Sequence, residues 1–304
     1  MRRPVWQLVQ WLLGLLIVAF MIRYVARNWS EVQTAQLRWE LSWPALGLAL
    51  VLVWAAFASL ADAWRRMVEA WGYPLSWPDG ARIWLLSSMA KYVPGKVWAL
   101  AGMALMAERR GIPAWSAAGS AVILQLVSLG TGAVIVATTG LAVGDILPGP
   151  LVLAGFAAAM GLLASLVLWP PLTRRAIAAF APAADLAAVP GPRPLLFGVL
   201  ANLGAWIGYG AAFWLFARGT LPDARLDVGQ AIGVYTASYV AGVVAPFAPG
   251  GLGVRESVMV LALQGQLGLA SALALAAVAR LGMTAGEVLA AVPFLIRTGE
   301  RSRD

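Results

Sequence analysis

Long apolar runs alternate with short polar or Pro/Gly-rich pieces along the whole chain. Runs such as Trp11 to Ile22, Pro44 to Leu60, Leu151 to Trp169 and Val258 to Ala279 approach the ~20 residues that a helix needs to cross a bilayer. They predict full spans near 5–23, 43–64, 114–142, 150–170, 195–217 and 268–296. Two further apolar segments, near 81–107 and 228–265, are broken in the middle by Pro-Gly, which a continuous helix does not tolerate. The pattern predicts an all-α polytopic membrane protein of about six full transmembrane helices plus two broken, re-entrant hairpins, arranged as an inverted repeat. It forms a single integral membrane domain over residues 1–304.

The repeat emerges when the chain is slid against itself by 155 residues, which lays Pro94-Gly95 on Pro249-Gly250 without a gap. The same offset pairs Ala90 with Ala245, Tyr92 with Phe247 and Ser116-Ala117 with Ser271-Ala272. Identity is low, but the order of broken segment, Pro-Gly, short helix, small-residue link and long helix is shared, over candidate repeats 43–170 and 195–296. Three full spans separate the two breaks, so the second copy enters from the opposite face. Inverted repeats with discontinuous helices meeting near the midplane are a transporter architecture, because unwound backbone at that depth needs protein or a water-filled cavity around it. The competing reading is a structural bundle with two kinked helices.

Composition supports the membrane reading. Of 304 residues 61% are hydrophobic and 12% charged, against roughly a quarter charged in a soluble domain. Trp6, Trp29, Trp39, Trp43, Trp64, Trp77, Trp115 and Trp169 fall near span ends, as an aromatic belt does. With no Cys and no His, thiol chemistry, disulfides and imidazole catalysis are excluded, and no metal site or cofactor is expected. The net charge of +8 is scattered at span ends rather than gathered on one face, which argues against nucleic acid and for acidic headgroups. The stretch from Arg2 and Arg3 to Ile22 reads as a retained first helix, because Arg23 and Arg27 follow it and no small-residue cleavage pattern appears.

If both broken segments return to the side they enter, thirteen arginines, from Arg2 and Arg3 through Arg65, Arg66, Arg109 and Arg110 to Arg303, fall on one side. Only five, Arg23, Arg27, Arg38, Arg218 and Arg225, fall on the other. By the positive-inside rule both termini are then cytoplasmic, in a bacterial or archaeal cytoplasmic membrane.

Candidate chemistry gathers at the breaks. The first reads Ser87-Ser88-Met89-Ala90-Lys91-Tyr92-Val93-Pro94-Gly95-Lys96-Val97-Trp98, and Lys91 and Lys96 are the only lysines among 22 basic residues. An ammonium there suits a phosphate, with the N–H groups of the helix after Pro94-Gly95 adding positive dipole; alternatively these lysines snorkel to an interface. The second break reads Pro249-Gly250-Gly251-Leu252-Gly253-Val254-Arg255-Glu256, a glycine-rich turn that directs amides and a guanidinium toward one point. A charge near the bilayer centre costs about 2.5 to 3.5 kcal/mol, so Lys91, Lys96, Arg255 and Arg280 inside apolar segments are expected to matter. Glu256 reads as the neutraliser of Arg255 or Arg280, or as a proton site, with Glu287 and Asp62 as weaker proton candidates. Gln125, Ser128, Thr131 and Asn202 either line a path or bond between helices.

At Tyr92-Val93-Pro94-Gly95-Lys96-Val97-Trp98 and at Pro249-Gly250-Gly251-Leu252-Gly253-Val254-Arg255-Glu256 the chain resembles the transmembrane domain of lysylphosphatidylglycerol synthases and the stand-alone flippase-like proteins grouped with it. The resemblance extends over essentially the whole chain in the order of apolar segments. It implies movement of a lipid between leaflets: aminoacylated phosphatidylglycerol in two-domain members, and lipids including polyprenyl-linked ones in stand-alone members. Ending at Asp304, the chain is expected to lack the aminoacyl-transferase domain.

The combined expectation is a lipid flippase rather than an enzyme, moving an anionic phospholipid or a polyprenyl-phosphate-linked lipid through a cationic midplane pocket. The expected headgroup residues are Lys91, Tyr92, Lys96, Trp98, Gly250, Gly251, Gly253, Arg255, Glu256 and Arg280, with Pro94, Gly95 and Pro249 at the breaks. Membrane lipids are the expected partners, with a second copy or a lipid-biosynthesis enzyme as candidates. The rivals are a membrane-embedded transferase on a lipid-phosphate substrate, a non-transporting scaffold for lipid-modifying enzymes and a small-solute transporter.

Overall fold

A computed structural model of the chain describes residues 23, 26, 37–92, 98–139, 155, 191–245 and 248–296. The spans expected at 5–23 and 150–170, and the Pro94-Gly95-Lys96 centre of the first break, lie outside these residues. The described chain is built from helices α1 (Trp43–Ala70), α2 (Trp77–Ser88), α3 (Trp98–Glu108), α4 (Ala114–Thr139), α5 (Pro192–Thr220), α6 (Val228–Val244), α7 (Val254–Leu267) and α8 (Leu269–Ile296). Single 3-10 turns, Met89–Tyr92 and Pro249–Gly251, follow α2 and α6.

Four of these helices, α1, α4, α5 and α8, are long and apolar enough to cross a membrane. At about 1.5 Å per residue, 26 to 29 residues reach about 40 Å, beyond the ~30 Å hydrocarbon core. The helices α2 and α3, of 12 and 11 residues, reach less than about 20 Å each and cannot cross alone. Their starts are set locally. Ser76 accepts from the Asp79 amide ahead of α2, and Asp227 accepts from the Gly229 and Gln230 amides ahead of α6. Gly111 and Gly268, both with positive φ, make the tight links from α3 to α4 and from α7 to α8.

Side-chain pairs fix the directions. Trp64 donates to Ala117 O and Trp71 to Ser120 Oγ, so the end of α1 meets the start of α4 and the two run antiparallel. Asp79 at the head of α2 and Arg110 just past α3 form a 2.6 Å ion pair, so the α2–α3 segment returns to the face it enters. Gln230 near the head of α6 donates to Gln266 near the end of α7 at 2.5 Å, and the α6–α7 segment returns likewise.

The two hairpins enter from opposite faces. The amides of Glu40 and Ser42 donate to Thr220 O and Gly219 O, which sets α5 antiparallel to α1 and puts its end beside the start of α1. The α6–α7 hairpin therefore starts where α1 begins, whereas α2–α3 starts where α1 ends. Moving α4 forward by 155 residues starts it on Leu269, the first residue of α8, and moving α3 likewise starts it within one residue of α7. Small residues bring the long helices close: Gly219 packs on Ala45 and Leu46, and Gly208 lies near Leu52 O and Ala56.

Candidate headgroup site between the two breaks

The two 3-10 turns touch each other inside the bundle. Beside them lies a cavity of about 510 Å³, within the range of small-ligand pockets. Its walls include Phe57, Leu126 and Trp206, which sit at the midpoints of α1, α4 and α5, so the cavity lies at the middle of the bundle. Most of the described lining is apolar or aromatic; among the described residues, the ionisable groups in it are Lys91, Arg255, Glu287 and the phenols of Tyr209 and Tyr239.

The second break is shaped around Arg255. Gly250, Gly251 and Gly253 all take positive φ, which lets the chain reverse within one turn and start α7. Arg255, on the first turn of α7, donates from Nη2 to the Tyr235 hydroxyl at 3.1 Å. Its guanidinium lies 4.7 Å from the Tyr239 ring centroid and 5.4 Å from that of Tyr235, a cation–π arrangement. Gly242 and Gly251 flank its stem so closely that a Cβ on Gly242 would stand 2.7 Å from Arg255 Cγ, and one on Gly251 2.9 Å from Cδ. Arg255 Nε is buried and donates to no described residue.

Behind the turn, Glu256 and Arg280 act as a clamp. One Glu256 oxygen accepts from the Gly253 amide at 2.7 Å, capping α7, and the other lies 3.6 Å from Arg280 Nε. Arg280 Nη1 donates to Gly250 O at 3.0 Å, closing the loop of contacts around the break.

The first break contributes Lys91, whose ammonium pairs at 2.6 Å with Glu287 of α8. Glu287 is only 2% exposed, and Ser88 Oγ lies 3.1 Å from the same carboxylate oxygen. A buried charge at this depth is costly unless paired, and here the pair joins the first hairpin to α8.

Of the residues expected from sequence, the structure brings Lys91, Gly250, Gly251, Arg255 and Glu287 to one cavity. It puts Arg280, Glu256 and Gly253 in the clamp behind it. Trp98 is half exposed on α3, and Asp62 lies in an ion-pair cluster with Arg65 and Arg66 toward the end of α1. Pro94, Gly95 and Lys96 lie outside the described residues, and Tyr92 is described in its backbone alone. Pro249 opens the second turn. Gln125, Ser128 and Asn202 line the cavity, while Thr131 accepts from Trp206 Nε1 at 3.1 Å and so joins α4 to α5.

The carboxylate of Glu287 makes the cavity less cationic than expected. Sequence reasoning also missed the tyrosines and Gly242. Their signal was present, since Tyr235, Tyr239 and Gly242 recur at helical spacing along one face of α6.

Comparison with known families matches residues 11–289 to the description "Lysylphosphatidylglycerol synthase TM region". No curated protein matches the chain at a significant level.

Proposed function

The chain belongs to the lysylphosphatidylglycerol synthase TM-region family, and from that premise we propose that it is a flippase for a phosphate-bearing lipid. It is a multi-pass membrane protein of a lipid-related family. The observation that carries the proposal is the convergence of two opposed hairpins on a mid-bundle cavity that presents Lys91 and Arg255 from an apolar wall. Acyl or prenyl tails move in the bilayer without help, whereas the headgroup must leave water, and that transfer is the barrier a flippase lowers.

In this reading the Arg255 guanidinium, steered by Tyr235 and Tyr239, is the phosphate's main ligand, since its planar fork matches two phosphate oxygens. Lys91 adds a second cation from the opposite hairpin. Access from each leaflet follows from a hairpin opening toward each face. Arginines at the described helix ends support the orientation: Arg65, Arg66, Arg82, Arg109, Arg110 and Arg193 lie toward the end where α1 finishes, and Arg38, Arg218 and Arg225 at the other. In this reading the arginine-rich end faces the cytoplasm of a bacterial or archaeal cell.

Reconstitution in liposomes with a fluorescent phosphatidylglycerol tests the proposal. Faster transbilayer exchange is expected from the wild type, reduced at least tenfold in Arg255→Ala. No acceleration with phosphatidylglycerol or a polyprenyl phosphate, or full activity of Arg255→Ala, would refute it. Chemical turnover of the lipid in the same vesicles would point to the rival transferase.

A further inference from the structure

We infer that Glu287 takes up a proton when a headgroup phosphate enters the cavity, so that lipid binding and proton binding are linked at this site. The inference rests on the reading of the cavity as a phosphate-lipid site.

The cavity already holds one anion on its cation, since Glu287 pairs with Lys91 at 2.6 Å. A phosphate approaching that ammonium comes within hydrogen-bond range of a carboxylate that is 2% exposed and has little water to screen it. Two anions sharing one small site disfavour each other strongly, and binding a proton is the ordinary relief.

Among the described residues, the following groups surround Glu287. From α2 comes Ser88 Oγ at 3.1 Å, and from the first turn Lys91. Tyr209 of α5, Tyr239 of α6 and Arg255 of α7 line the same cavity. Tyr235, next to Arg255, accepts that guanidinium's hydrogen bond. On α1, Trp54 donates to Gly286 O, while Asp62 is engaged by Arg65 and Arg66. On α8 itself Arg280 is held by Gly250 O and Glu256, the carboxylate of α7.

The exchange balances. A phosphate oxygen accepts the Lys91 N–H that Glu287 accepted, and Glu287 gains one proton from solvent and becomes a neutral acid. Its new O–H donates to the phosphate or to Ser88 Oγ. One phosphodiester anion and one proton enter together, so the charge of the site is unchanged. The same exchange loosens the link between the first hairpin and α8, the two elements that the ion pair joins.

Titration calorimetry of the purified full chain with short-chain phosphatidylglycerol, in two buffers of different ionisation enthalpy, counts the protons. The phosphodiester does not titrate between about pH 5 and 8, so any proton belongs to the protein. The expected wild-type result is about one proton taken up per lipid, with affinity rising up to about tenfold for each unit of falling pH. In Glu287→Gln the proton count falls to near zero and the affinity becomes flat with pH.

A wild-type count near zero overturns the inference and leaves the phosphate reading intact, and it does not depend on the variant folding. A folded Glu287→Gln protein that still takes up the proton also overturns it. Absence of phosphatidylglycerol binding by the wild type at every pH overturns the inference, and absence of polyprenyl phosphate binding as well overturns the phosphate reading with it.

Discussion

Replacing Gly242 by alanine tests whether the second break is built around Arg255. The new Cβ would stand 2.7 Å from Arg255 Cγ, 3.1 Å from Cδ and 3.2 Å from Gly251 Cα. Carbon atoms in contact prefer about 3.5 to 4.0 Å, so the stem or the turn must shift by close to an ångström. Cγ is near the backbone of α7 and the guanidinium is stacked on Tyr239, so the shift swings the charged end off its aromatic support. Overpacking of this kind costs about 1–3 kcal/mol, and loss of the cation–π contact adds about 0.5–2 kcal/mol. The gain in helix propensity from Gly to Ala returns about 1 kcal/mol. The expected balance is a destabilisation of about 0.5–4 kcal/mol, read as a lower midpoint in SDS unfolding of the micellar protein. A misplaced Arg255 should also weaken binding of short-chain phosphatidylglycerol about tenfold, or about 1.4 kcal/mol. Gly204→Ala on α5 is the control, because nothing lies within 4 Å of its added Cβ. If Gly242→Ala unfolds and binds lipid like Gly204→Ala, the packing argument is wrong.

Gly210→Ala should be harsher, since its Cβ would come within 2.3 Å of the Ile232 backbone Cα and force α5 from α6; a monodisperse peak in size-exclusion chromatography would contradict this. Lys91→Met and Glu287→Met should each lower unfolding stability by about 1–3 kcal/mol, at or below the usual range for a broken buried pair because Lys91 is 31% exposed. The double variant should be milder than the sum of the singles, and strict additivity would show that the pair is not coupled. Asp79→Asn removes a 2.6 Å ion pair at the base of the first hairpin between partners exposed by 27% and 33%, so a loss of about 0.2–1 kcal/mol is expected, with faster hydrogen exchange in α2. Unchanged exchange there would show that the pair does not hold the hairpin shut.

The long helices were legible because hydrophobic length is written locally. The span expected at 43–64 appears as Trp43–Ala70, longer because Asp62, Arg65, Arg66 and Glu69 continue the helix past the apolar stretch. The spans expected at 114–142, 195–217 and 268–296 appear as Ala114–Thr139, Pro192–Thr220 and Leu269–Ile296. The break at Pro249-Gly250-Gly251 was legible too, since proline and consecutive glycines are incompatible with a continuing helix.

Partnerships between distant residues were not legible, because they depend on how helices rotate and cross. Glu287 read as a minor proton candidate, yet packing α8 against α2 puts it on Lys91, 196 positions away in sequence. Arg280 read both as a headgroup ligand and as a possible partner of Glu256, and the crossing of α8 behind the second turn gives it Glu256 together with Gly250 O, a contact the sequence did not show. Nothing in the sequence tied Tyr235 and Tyr239 to a cation, because only the packing of α7 on α6 sets a guanidinium against them.

By itself, then, the sequence determined that this chain lives in a membrane, where its helices run and where two of them break, because transfer free energy and backbone stereochemistry act over a few neighbouring residues. Tertiary structure alone decided that the two turns touch, that Glu287 joins Arg255 and Lys91 at one cavity, and that Arg280 braces the second turn. Those outcomes come from close packing of small residues between helices, a property of paired surfaces that no single segment carries.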